Sequence, residues 1–91
     1  MAKSEISWRR QTEAGDRLDV YARRVGTRWL FYVRTRRRYQ QWAAVAEPPL
    51  EDWLELLDGV ERRIRRRLLR PEEADRVRQA ISERFPGAEV S

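Results

Sequence analysis

Arg17-Leu18-Asp19-Val20-Tyr21-Ala22-Arg23-Arg24-Val25-Gly26-Thr27-Arg28-Trp29-Leu30-Phe31-Tyr32-Val33-Arg34-Thr35-Arg36 is the stretch on which the fold turns. Gly26-Thr27 has glycine at the first central position of a two-residue hairpin loop. That is the type II′ signature, because this position needs a positive φ. The flanking runs, 17–25 and 28–36, are rich in β-branched and aromatic residues and read as strands. A two-residue loop fixes the register: Val25 opposes Arg28, Arg24 opposes Trp29, Ala22 opposes Phe31, Val20 opposes Val33 and Leu18 opposes Thr35. One face then collects Leu18, Val20, Ala22, Trp29, Phe31 and Val33. The other collects Asp19, Tyr21, Arg23, Arg28, Leu30, Tyr32 and Arg34. A slip of one residue would scatter the apolar set over both faces, so the separation supports the turn.

Working outward, a tight connection at Arg37-Arg38 leads into a strand over 39–45. An even loop places Trp42 and Ala44 on the apolar face, with Tyr39, Gln41 and Ala43 opposite. Upstream, Ile6–Gln11 precedes a turn around Ala14-Gly15-Asp16, and an odd loop places Ile6 and Trp8 on the apolar face, Trp8 against the small Ala22. The expected sheet is a four-stranded antiparallel meander over about residues 5–46. Trp8, Trp29 and Trp42 point inward; Tyr21, Tyr32 and Tyr39 point outward.

Beyond Pro48-Pro49 the period changes. Leu50, Trp53, Leu54, Leu57, Val60, Ile64 and Leu68 recur at three- and four-residue steps and predict an amphipathic helix over about 49–69. Residues 47–61 carry six acids and no base, and 62–70 carry six arginines and no acid. That order matches the helix macrodipole, and Asp58/Arg62 and Glu61/Arg65 fall at the favourable i,i+4 spacing. The arginine run therefore reads first as a solvated helix face and second as a phosphate or anionic-surface contact. Pro71, followed by Glu72 and Glu73, closes this helix and opens another over about 71–85, with Ala74, Val77, Ile81 and Phe85 as its stripe. A short tail, 86–91, follows Pro86-Gly87. The expected fold class is α+β in a single domain spanning 1–91: the meander, a long amphipathic helix packed on one face, and a shorter C-terminal helix.

Composition narrows the function. The 91 residues contain no histidine and no cysteine, which excludes His/Cys metal sites, thiol nucleophiles, disulfides and histidine triads. No serine or threonine stands beside a base in the inferred geometry, so catalysis is not expected. The acids Glu51, Asp52, Glu55 and Asp58 fall on a solvent face with no pocket implied, and neither metal nor other cofactor is expected. No small-molecule substrate is implied. No apolar run reaches about 18 residues and the N-terminus lacks a signal-like apolar core, which points to a cytoplasmic protein without membrane insertion.

Charge is uneven. Residues 1–46 hold eleven basic and four acidic side chains, whereas 47–91 hold nine basic and eleven acidic, so the net +5 of the whole chain comes from a net +7 in the first half. The outer sheet face carries this excess beside its aromatics. Arg9, Tyr21, Arg23, Arg28, Tyr32, Arg34, Tyr39 and Gln41 form a candidate single-stranded nucleic-acid site, in which rings stack on unpaired bases and guanidinium groups follow phosphates. The same residues would also write a stable solvent-facing sheet, since Tyr21/Tyr32 and Asp19/Arg34 are favourable cross-strand pairs. A third reading covers the face with the 71–85 helix, a protein partner or a second copy of the chain, making the protein an interaction or homo-oligomerisation module.

The order of elements, with Leu18-Asp19-Val20, Gly26-Thr27-Arg28-Trp29-Leu30 and the helical Trp53–Leu57, resembles PUR repeats and, with variations, Whirly-type single-strand binders. The resemblance spans residues 18–57. It departs at Arg36-Arg37-Arg38, at Pro48-Pro49 and in the helix over 71–85. It implies single-stranded nucleic-acid binding and, for a chain with one repeat, a homodimer.

Overall fold

Gly26 adopts a φ of +64°, and the only described non-glycine residue with positive φ is Arg67, so Thr27 does not share the left-handed region. One positive φ at the first central position is what a type II′ turn requires. A computed structural model describes residues 5–35 and 41–88. It contains strands β1 (Glu5–Gln11), β2 (Arg17–Val25), β3 (Arg28–Thr35) and β4 (Ala43–Val45), then helices α1 (Leu50–Arg65) and α2 (Pro71–Arg84), an α+β arrangement. The strands form one antiparallel sheet in the order β1-β2-β3-β4. Contacts within the chain divide it into two compact units, Met1–Pro48 and Pro49–Ser91. No helix among the described residues is long and apolar enough to cross a membrane.

The β2–β3 register is the expected one, from Val25 opposite Arg28 to Leu18 opposite Thr35. Leu18, Val20, Ala22, Trp29 and Phe31 are buried on one face. The β1 register differs by two residues: Trp8 faces Val20, and Ile6 faces Ala22. The cause is the turn. Gly15, at φ +92°, is the last residue of a three-residue loop, Glu13-Ala14-Gly15, closed by Thr12 and Asp16 through backbone bonds and the Thr12 hydroxyl. Glycine is needed at the end of such a loop, not at its middle. Moving the turn by one residue shifts the pairing by two and leaves the faces unchanged. Ile6 is buried as expected, and Trp8 reaches over β2 to meet Phe31 edge-on at 6.2 Å.

The last strand departs further. β4 is three residues long, with Ala43 opposite Val33, Ala44 opposite Tyr32 and Val45 opposite Phe31. The connection 36–42 has an odd number of residues, so the alternation is inverted relative to expectation. Ala43 and Val45 take the apolar rows and Ala44 the outer one. Trp42 lies on the outer side, 38% exposed, against Tyr21.

Pro49 opens α1 without a side-chain cap, its carbonyl accepting from the Asp52 and Trp53 N–H groups. The buried face runs through Trp53, Leu56, Leu57, Gly59 and Val60. It is rotated from the expected stripe: Leu56 is fully buried, whereas Leu54 and Leu68 are exposed. The helix ends at Arg65, short of the expected 69. Arg67 N–H bonds to the Ile64 carbonyl at 2.9 Å and Leu68 N–H to the Arg63 carbonyl at 2.8 Å. These are the paired bonds of a Schellman turn, with Arg67 (φ 62°) where glycine is usual. Pro71 thus starts α2, as expected, but does not end α1.

The two helices run antiparallel, with Arg84 stacked on Trp53 at 4.9 Å and Arg78 ion-paired to Glu61. Glu61 therefore joins α2 rather than the expected Arg65. Arg62 does pair with Asp58. Ala74, Val77 and Ile81 are buried, and Phe85 is half-buried at the α2 C-cap. Asp52 and Glu73 are both buried, and both sit in the first turn of a helix. Carboxylates there offset the positive end of the dipole; Asp52 thus departs from the solvent face expected for it, whereas Glu51, Glu55 and Asp58 are exposed as expected.

Candidate nucleic-acid interface

The outer sheet face is organised in rows fixed by the register. One row reads Ser7, Tyr21, Tyr32, Ala44 across the four strands. Tyr21 and Tyr32 stack at 4.8 Å between centroids with planes 16° apart. Trp42 meets Tyr21 edge-on at 4.7 Å. Small residues at both ends of the row, Ser7 and Ala44, leave the rings uncovered at their flanks. All three rings remain partly accessible.

The neighbouring row reads Arg9, Asp19, Arg34. Asp19 lies 3.6 Å from Arg9 and 3.4 Å from Arg34, and the Arg34 guanidinium also sits 4.5 Å from the Trp42 ring centre. Two of the expected phosphate ligands are thus held by one carboxylate, which lowers the charge of this row and fixes Arg34 in place. Arg23 stands 5.9 Å over the Tyr32 ring. Cations over ring faces are favourable by about 0.5–1 kcal/mol at exposed sites. Arg28 is exposed beside the Gly26-Thr27 turn, at the far end of the sheet.

An open groove of about 700 Å³ lies on this face, lined by Ser7, Arg9, Asp19, Tyr21, Arg34 and Trp42 among others. A second, of about 490 Å³, is formed by Arg9, Arg10, Gln11 and Arg17 and shares Arg9 with the first.

Of the eight residues expected in the site, Arg9, Tyr21, Arg23, Tyr32 and Arg34 come together. Arg28 stands apart at the turn. Gln41 is exposed just outside β4, and Tyr39 lies outside the described residues. Trp42, assigned by its sequence position to the apolar face, belongs to the cluster. The missing signal was the parity of the 36–42 connection, which no turn residue specifies. No family model, no curated protein and no solved structure matches the chain.

Proposed function

We propose that the protein is a non-enzymatic cytoplasmic binder of single-stranded nucleic acid, acting through the outer face of its sheet. The observation that carries the reading is the cluster of Tyr21, Tyr32 and Trp42, three partly exposed rings on one face, of which Tyr21 and Trp42 line an open groove together with Arg9 and Arg34. Base stacking on such rings contributes about 1–3 kcal/mol per base and tolerates any sequence. Arg23 supplies a cation for phosphates beside the Tyr32 ring, Arg17 one in the groove that shares Arg9, Arg28 one more at the distant hairpin end, and Arg9 and Arg34 add one net charge beyond Asp19. The order of meander then helix is also that of the PUR-like units the sequence resembles.

The test is fluorescence anisotropy with labelled oligo-dT and oligo-U. Four phosphate contacts lower log K by about 0.7 each per decade of salt, so affinity falls about 50-fold between about 50 and 200 mM salt. Trp42 fluorescence is quenched on binding. Absence of salt-sensitive binding at tens of micromolar protein in low salt overturns the proposal.

A further inference from the structure

The two edges of the sheet are built differently. β4 is three residues long and soon meets Pro48-Pro49, which leaves little backbone for another strand to pair with. β1 is an end strand of seven residues, paired to β2 without a bulge and free of glycine and proline. Long regular end strands invite pairing unless something blunts them. The sequence of β1 has one further property: Glu5-Ile6-Ser7-Trp8-Arg9 is complementary to itself in antiparallel orientation.

We propose that two copies of the chain associate along β1, antiparallel, about a two-fold axis through Ser7. In that register Glu5 opposes the partner's Arg9 on the outer face, and Ile6 opposes the partner's Trp8 on the apolar face. Each pair occurs twice, and Ser7 meets the partner's Ser7 on the axis. Opposite charges and aromatic/β-branched pairs are the favourable cross-strand combinations. Other registers lose both. An axis through Trp8 sets Ile6 against the partner's Arg10, and an axis through Ile6 sets Glu5 against the partner's Ser7. A two-fold normal to the sheet keeps each face continuous, so axes between residues are excluded. A second copy is the fitting partner because the charge pattern is matched by the same five residues reversed.

Pairing at Ser7 also joins the two grooves. The row Ser7, Tyr21, Tyr32 would continue into its symmetry mate, with each Glu5 and Arg9 beside the groove of the other copy. This consequence rests on the nucleic-acid reading; the dimer does not.

Light scattering on the whole chain, without oligonucleotide, tests the association. The expected mass is twice the 11.0 kDa of one chain. Glu5→Arg and Arg9→Glu each place like charges together at both pairs and reduce the mass to that of one chain. Mixed in equal amounts they restore attraction at both pairs and recover the dimer. Circular dichroism confirms that each variant is folded. Independently, Ser7→Cys introduces the chain's only thiol on the axis, where opposed Cβ atoms about 4.5–5.5 Å apart need little movement to form a disulfide. It cross-links under mild oxidation faster than Ser82→Cys, an exposed position on α2. A parent mass of one chain up to about 1 mM protein, dimers that persist in both charge variants, or Ser7→Cys linking no faster than Ser82→Cys each overturn the proposal. Oligonucleotide binding by a chain that stays monomeric would sink the dimer and leave the nucleic-acid reading standing.

Discussion

The arginines of the helical unit and those of the sheet serve different ends. In the helices, Arg62 is paired to Asp58, Arg76 to Glu73, and Arg78 to both Glu61 and Asp75, while Arg84 covers the Trp53 ring and donates to the Ala80 carbonyl. Acids one turn away make this possible, because i,i+3 and i,i+4 positions are neighbours on a helix. In the sheet, side chains alternate between faces, and Asp19 is the acid between Arg9 and Arg34. Arg17, Arg23 and Arg28 stand exposed on the strands. Helical arginines are thus neutralised where an acid stands within reach, as at Arg62, Arg76 and Arg78, while Arg65, Arg66 and Arg67 of the dense run remain exposed like the strand arginines. Density of one residue type says less about partners than the spacing of its counter-charges.

The largest expected effect separates the two faces of the sheet. Trp29 is buried, and Trp29→Ala is expected to lower unfolding free energy by about 3–5 kcal/mol in urea denaturation. Tyr32, on the other face, loses one stacked partner, so Tyr32→Ala lowers stability by about 0.5–1.5 kcal/mol. Its larger effect is on oligonucleotide affinity, weakened by about 1–3 kcal/mol. Equal stability losses in the two variants would show that the outer rings belong to the packing and not to a binding surface.

The next effect sharpens the helical side of the comparison. Arg67 holds a left-handed conformation that costs an L-residue about 1–2 kcal/mol. Arg67→Gly removes that strain within the same Schellman turn and is expected to stabilise the chain by about 1 kcal/mol, a rise of about 4–8 °C in Tm. Oligonucleotide affinity should not change. A loss of affinity here would move the binding surface to the inter-helix turn.

What the sequence disclosed followed from local signals with short reach. Gly26-Thr27 fixed the central hairpin residue by residue, because a two-residue loop leaves no freedom of register. Pro71 with two acids behind it marked the start of α2. Gly15 signalled a turn, but the left-handed glycine ends the loop and does not sit at its middle, so the centre lies one residue earlier and the pairing moved by two. The α1 terminus was hidden because its stop is an arginine where glycine would have announced it. The placement of Trp42 depended on whether a connection of arginines and polar residues is odd or even, and nothing in 36–42 encodes that. Since Trp42 is one of the three rings of the outer cluster, the candidate site was legible in its tyrosines and not in its tryptophan.

The smallest effect bears most directly on the contrast between the two kinds of arginine. Arg62 and Asp58 are both more than half exposed, so their i,i+4 pair contributes about 0.3–0.5 kcal/mol, and Arg62→Ala is expected to cost no more than that in stability. Because Asp58 already offsets its charge, the variant should leave both oligonucleotide affinity and its salt dependence unaltered. Arg23→Ala removes an exposed cation held over the Tyr32 ring on the outer face, in the row where Glu5 opposes it from β1. Its stability change is similarly small, yet the slope of log K against log salt should fall by about 0.7, the signature of one lost phosphate contact. The two variants remove the same charge from the same net +5 chain. If both reduce the slope equally, the protein attracts polyanions by total charge alone and the sheet face holds no particular site; a change confined to Arg23→Ala locates the contact on the strands.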